Sequence, residues 1–345
     1  MVRPIFICGR NSGGVNEALI DELYAALGDS FYATRSAEEA DGILRHATKT
    51  GDELRATFIG GDGVFESGVT SLRQELGADA FSELMTFAHL GRGSGNSMIA
   101  TIGKMKKPVR SLRRLNEGDT DGLEFLEIPL ISTNFEGIIG GRRFYSLAGI
   151  GLDGQIIRDA EEHRKKGGFW STRGLLGYLA SISTRTLPHE LRRLFERLPD
   201  VTFNYDPEFV KKLYLENGEM RNTQSGKIVN ETWAVMLGGI RNVGNGATLF
   251  PSRQSDEIEM RVLKGPKLST LPKLFLYGPR LFLDGSPDAS VGEDYVIRRG
   301  GKVTVSFQDD LPHPVQVGGT YVGGSSRVTF GYDQATFSVL NNKSL

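Results

Sequence analysis

Two short glycine-rich runs, Gly60-Gly61-Asp62-Gly63 and Gly93-Ser94-Gly95-Asn96, carry the residue types from which phosphate sites are built. Glycines let the backbone approach phosphate oxygens, and the N–H groups of a turn entering a helix point at the anion. In the first run Asp62 would hold a magnesium ion or accept a proton. The competing reading is a tight turn whose aspartate caps the next helix. In the second run Ser94 can donate to phosphate and Asn96 can orient a nucleotide. Two such turns, each at the end of a strand, are harder to read as punctuation than one.

The elements that must position these turns follow from periodicity. Ile5 to Cys8 reads as an apolar strand, Gly9 to Gly14 turns the chain, and Val15 to Leu27 has a helical pattern. A second unit repeats the order: strand Ser30 to Thr34, helix Ala37 to Thr48 capped by Ser36, and strand Ala56 to Ile59 ending in the first glycine run. A helix over Val64 to Leu76 and a strand over Glu83 to Leu90 complete the pattern. Alternating strands and helices predict a doubly wound α/β domain, with ligands at the carboxyl ends of its strands.

From about Leu123 the pattern becomes alternating: Phe125 to Ile131, Phe135 to Ile139, Arg143 to Leu147, Trp233 to Leu237, Ile258 to Leu263, Val303 to Phe307, Val315 to Val317 and Arg327 to Phe330. Short strands at turn-rich spacing predict a mainly antiparallel β-sandwich. A helical stretch, Gln155 to Ser183, and a polar hairpin or loop around Glu216 to Gly226 interrupt it. The domains are placed at residues 1–123, an α/β nucleotide-binding domain, and 124–345, a β-sandwich whose last segment can pack back on the first.

Composition narrows the function. With 41 Lys and Arg against 42 Asp and Glu, no global field points to nucleic acid. The one cysteine, Cys8, reads as a buried strand residue. The histidines show no metal-ligand spacing, and there is no Gly-x-Ser-x-Gly elbow. The absence of a long apolar run or signal segment predicts a cytoplasmic protein, at most peripheral to a membrane. Gly168 to Leu179 and Leu271 to Leu283 offer apolar and aromatic residues for a membrane surface, although core packing explains them as well. The basic run from Lys104 to Arg114 could hold ATP phosphates or lipid headgroups, but such a cluster in a polar connector is more often a solvated face.

The two glycine runs resemble those of the lipid kinases built like diacylglycerol kinase, sphingosine kinase and ceramide kinase, where three turns surround ATP. Gly9-Arg10-Asn11-Ser12-Gly13 is similar to the first of these turns through Ser12 and Gly13, and Thr34 matches the threonine after the second strand. Ala148-Gly149-Ile150-Gly151-Leu152-Asp153 resembles a later motif, in which Asp153 would face the acceptor hydroxyl, and Gly244-Asn245-Gly246 with Pro251 resembles another. The resemblance implies ATP and Mg2+ as cofactors and a lipid alcohol at a membrane surface as partner. It places the nucleotide on Ser12, Gly13, Thr34, Gly60, Gly61, Asp62, Gly63, Glu66, Gly93, Ser94, Gly95 and Asn96, with Asp62 catalytic and Asp62 and Asp256 toward metal. A homodimer is left open.

Three departures fall on the chemistry. Val64 replaces a threonine, Glu66-Ser67 stands where the family commonly has Asn-Glu, and Gly318-Gly319-Thr320 stands where it has Asp-Gly-Glu, whose glutamate is a proposed base in bacterial members. Thr320 cannot take a proton from an alcohol, so Asp62 would have to serve. The alternatives are a pseudokinase that binds nucleotide without turnover and an NAD kinase, which resembles this superfamily through the same Gly-Gly-Asp-Gly turn.

Overall fold

In the computed structural model the described residues are 2–12, 14–92, 97–138, 141–166, 182–186, 188–189, 198–214, 219–243, 247–250, 256–265 and 292–344. The chain divides into two compact units. Unit 1 comprises Met1–Ile128, Val243–Gly246 and Ala335–Leu345; unit 2 comprises Pro129–Asn242 and Ala247–Gln334.

Unit 1 runs β1 (Arg3–Gly9), α1 (Glu17–Leu27), β2 (Phe31–Thr34), α2 (Ala37–Thr48), β3 (Leu54–Gly60), α3 (Asp62–Leu76), α4 (Ala78–Leu84), β4 (Met85–Gly91), α5 (Ser97–Ile102) and α6 (Pro108–Asn116). Its strands stand in the order β4-β3-β1-β2, all parallel. Alternate strand residues supply the two faces. Phe6, Cys8, Ile59, Ala88 and Leu90 pack with Ile20 and Leu23 of α1 and Leu112 and Leu115 of α6. On the other face Phe58 and Phe87 form an aromatic cluster with Phe65 of α3, Phe81 of α4 and Phe337. Buried on both sides, β3 has no exposed position at all, as expected of a central parallel strand.

Local chemistry explains the helix ends. Asn16 caps α1 by accepting from Leu19 N at 2.9 Å, and Ser36 caps α2 by accepting from Glu39 N at 3.3 Å. Helix α3 begins at Asp62, two residues before its apolar periodicity, because the capping residue is Gly61. Glu83 and Leu84, read from the sequence as strand, instead finish α4. Apolar Phe81 and Leu84 fit either period, and the helix sets up the sharp entry into β4.

Unit 2 continues with β5 (Phe125–Asn134), which begins in unit 1, β6 (Arg143–Tyr145), β7 (Leu147–Gly151), α7 (Leu152–Lys166), β8 (Val201–Tyr205), β9 (Val210–Tyr214), β10 (Glu219–Asn222), β11 (Lys227–Val229) and β12 (Thr232–Gly238). Two short pieces follow, β13 (Asn242–Val243) and β14 (Ala247–Thr248). The last strands are β15 (Ile258–Lys264), β16 (Gly292–Ile297), β17 (Lys302–Phe307), β18 (His313–Val317), β19 (Thr320–Ser325) and β20 (Arg327–Leu340), which ends in unit 1.

An eight-stranded sheet in the order β10-β9-β16-β15-β12-β7-β18-β19 is antiparallel throughout. Facing it are β11, β8, β17 and the start of β20, also antiparallel. Phe203 of β8 stacks on Tyr295 of β16 across the gap, with ring centroids 6.3 Å apart. Unit 2 is therefore an antiparallel sandwich, and the fold class is α/β followed by β. Phe135 to Ile138, expected as a strand, is a turn around Glu136-Gly137. Helix α7 starts at Leu152, while residues 167–181 of the expected helix, Gly244–Gly246, Pro251 and the Leu271–Leu283 stretch lie outside the described residues. Among the described residues no helix is long and apolar enough to cross a membrane.

Candidate functional site

The carboxyl ends of β1, β3 and β4 come together in unit 1. Arg92 N donates to Gly60 O at 2.6 Å, Gly14 N to Arg92 O at 2.9 Å, and Arg10 N to Thr34 O at 2.9 Å. A Cβ on Gly60 would lie 2.7 Å from Ser12 Oγ and 2.9 Å from Val64 Cγ2, so only bare backbone fits between the two turns. Thr34 is buried and its hydroxyl donates to Cys8 O at 3.3 Å. Ser12, Thr34, Gly60, Gly61, Asp62, Gly63 and Glu66 are thus assembled in one unit. Gly13 and Gly93 to Asn96 lie outside the described residues.

Asp62 does not cap α3, whose first turn has no side-chain cap. Its carboxylate instead accepts from Ser97 N, the first residue of α5, at 2.6 Å. Its second oxygen, Oδ1, lies 3.8 Å from Nε2 of His89 on β4, and neither atom has a hydrogen-bond partner among the described residues. His89 Nδ1 donates to Phe58 O at 3.1 Å, and the ring stacks on Phe65 with centroids 4.9 Å apart. That donation leaves the lone pair of a neutral imidazole on Nε2, facing the carboxyl group. Burial pushes the Asp62 carboxyl up to about 6, against the Ser97 and Met98 donors. Burial likewise pushes the His89 imidazole down to about 4, against the Phe58 carbonyl. A neutral imidazole beside a carboxyl that readily keeps its proton is the arrangement a dry interior favours.

Glu66 lies one helical turn beyond Asp62, buried, and accepts from the Thr70 hydroxyl at 3.2 Å. Among the described residues no three His, Cys, Asp or Glu side chains group together as a metal site. Magnesium commonly needs only one or two protein carboxylates when nucleotide phosphates complete its shell. Asp62 supplies one such carboxylate, whereas Glu66 is 1% exposed and turned to the Thr70 hydroxyl. Asp256 is exposed in a turn before β15.

In unit 2, Asp153 sits in the first turn of α7, partly buried. Gln316 Nε2 donates to its Oδ2 at 2.6 Å, and Gly319 N donates to Gln316 Oε1 at 2.9 Å, which fixes the amide's orientation. Gly149 has no side chain because a Cβ there would overlap the Asp153 carboxylate. Burial pushes Asp153 up to about 6, with Gln316 pulling it down. Thr320 opens β19, and the next residue's N–H is taken by Glu161 Oε1 at 3.1 Å. Sequence reasoning missed His89, Ser97, Gln316 and Glu161. Each acts through a partner more than 30 residues away in the chain, and no spacing rule connects them.

Doubly wound α/β unit plus antiparallel sandwich is a known pairing among solved structures. One of them, a putative diacylglycerol kinase from Bacillus anthracis str. Sterne, is similar with a TM-score of 0.60 at 15% sequence identity, covering 98% of this chain and 96% of that one. Another crystal structure, of a diacylglycerol kinase from the same organism, gives a TM-score of 0.59 at 16% identity with the same coverage. At such identity the likeness shows the shared fold over nearly the whole length. No family model and no curated protein matches the sequence.

Proposed function

We propose that the chain is an ATP-dependent lipid kinase, with unit 1 binding the nucleotide and unit 2 the lipid alcohol. The observation that carries this reading is the junction of Gly60, Ser12 and Val64, where two turns at strand ends meet so closely that only bare backbone fits, with Asp62 tethered alongside by Ser97. Magnesium would neutralise phosphate charge there, which is most of what phosphoryl transfer asks. Asp62 would hold it. In unit 1 Asp62, with its raised proton affinity, is the candidate catalytic group, and in unit 2 Asp153 is the candidate for binding the acceptor hydroxyl. The reading extends to a protein that meets its lipid at a membrane surface.

A second reading, nucleotide binding without turnover, draws on Thr320, which supplies no carboxylate at the head of β19. The test is transfer of labelled phosphate from ATP to vesicles containing diacylglycerol, sphingosine or ceramide, with wild type and Asp62→Asn side by side. Transfer abolished by the substitution supports the kinase and names its acceptor. ATP binding by calorimetry with no transfer to any lipid moves the assignment to the second reading, and NADP formation from NAD would replace both.

A further inference from the structure

The gap between the two sheets of unit 2 is apolar and aromatic in its middle but not at one end. Register fixes which side chains face into it. Tyr295 of β16 stacks on Phe203 of the opposite sheet, so its face of the eight-stranded sheet is the inner one. Lys212 of β9 lies directly opposite Tyr295 in the ladder, and Glu293 is two residues along the same strand, so both share that face. Lys264 of β15 joins them, since Val262 is opposite Glu293. From the other sheet Lys227 of β11, opposite Phe203, projects across.

Three ammonium groups therefore meet one carboxylate. Glu293 is contacted by Lys227, by Lys212 at 3.1 Å and by Lys264 at 3.2 Å, and it accepts from the Tyr295 hydroxyl at 2.7 Å. Lys227 also donates to that hydroxyl at 3.1 Å. The Tyr205 hydroxyl, nearby on β8, donates to Gln224 O at 2.7 Å and lies 2.8 Å from Thr223 Oγ1. Further along, Arg221 of β10, opposite Lys212, pairs with Glu219 at 2.7 Å and lies over the Tyr214 ring.

Inner faces of sandwiches are normally apolar, and burying charge there is costly unless it is balanced. Among the described residues Lys212, Lys227 and Lys264 against Glu293 leave an excess of two positive charges. The glutamate is only 12% exposed, whereas the lysines, at 24 to 34%, remain reachable from solvent. Burial favours a neutral Glu293, but Lys227, Tyr295 and Lys212 outweigh it and hold the group at about 2. Glu293 thus occupies the place of one anion in a cluster with charge for more.

We infer that this end of the sandwich, formed by Lys212, Lys227, Lys264 and Tyr295 around Glu293, is a binding site for a phosphate group. Ammonium groups with rotatable donors suit a phosphate monoester, and a hydroxyl beside them adds a neutral donor. The site lies wholly in unit 2 and stands apart from the nucleotide reading, so either can fail without the other. The phosphate's source is a free phosphoester or an anionic lipid headgroup.

Calorimetric titration with inorganic phosphate, and flotation with phosphatidylcholine vesicles with and without phosphatidic acid, test the assignment. The proteins are wild type, Lys212→Met/Lys227→Met and Glu293→Gln, each first checked for cooperative thermal unfolding. The double substitution weakens phosphate binding or phosphatidic-acid-dependent flotation about tenfold or more, the loss expected for charge-assisted hydrogen bonds. Glu293→Gln strengthens it about tenfold by removing the competing charge. Should the double variant fail to fold, the gain from Glu293→Gln still decides. Binding of phosphate alone assigns a soluble phosphoester, and flotation with phosphatidic acid assigns a headgroup. Phosphate held at the glycine turns of unit 1 would be indifferent to all three substitutions, and indifference in both assays overturns the site.

Discussion

Replacing Asp62 with asparagine should make unit 1 more stable at neutral pH. The amide keeps an oxygen for the Ser97 N–H, which Asp62 accepts at 2.6 Å, but removes a charge that burial disfavours. The sign follows from the raised folded-state pKa. The ordinary value is 3.8 and the folded value about 6, so the stabilising protonated form is fully present below 3.8 and is lost as pH rises through 6. Two units at about 1.4 kcal/mol each give about 3 kcal/mol of strain in the ionised wild type at pH 8. Some will be relieved by relaxation, and a gain of about 1 to 3 kcal/mol is expected at pH 8, vanishing toward pH 4. Trp170 and Trp233 both lie outside unit 1, so fluorescence would miss the change. Amide exchange in β1 and β3, measured at pH 5 and pH 8, reads it directly. A variant equally destabilised at both pH values would refute the argument, because it would mean the carboxylate is ionised and well held.

Gly68→Ala should destabilise unit 1 by about 1 to 3 kcal/mol, since the new methyl would overlap the Phe58 ring that α3 packs on, with a drop in the unit's urea midpoint as the check. Asp294→Ala should cost about 3 to 5 kcal/mol in unit 2, because it strips Arg261, 1% exposed, of a 2.7 Å carboxylate contact; denaturation followed at Trp233 measures it. Cys8, its thiol pushed up to about 11 mainly by burial, should resist a thiol reagent at pH 8 in the folded protein and react at once in denaturant.

The architecture was largely readable because it rests on local signals. Ser36 before an apolar helical period, and Ile5 to Cys8 followed by glycines, each announce an element whose burial then agrees. The first glycine run is legible for the same reason, since Gly60 is required by contacts its absent side chain would violate. What stayed hidden depends on tertiary placement. Nothing around His89 distinguishes it from any polar residue at a strand's end, yet β4 sets its ring against Phe65 and its Nε2 toward Asp62. Lys227 and Glu293 are 66 residues apart and meet only because two sheets face each other. The Glu83-Leu84 boundary was misread because a short apolar run satisfies both periods until the next element decides.

Residues Ala335 to Leu345 belong to unit 1, where Ser338 and Val339 run parallel to Thr86 and Phe87 and Asn342 Nδ2 bonds to His89 O and Gly103 O at 3.0 Å. A ribosome delivers the chain from its first residue onward, so β1 to α6 emerge long before the strand that flanks β4. During that interval the edge of β4 and the Phe65 and Phe87 rings that meet Phe337 would stand uncovered. Unit 1 therefore cannot close its own sheet edge until the strand at residues 335–340, made after all of unit 2, has been delivered.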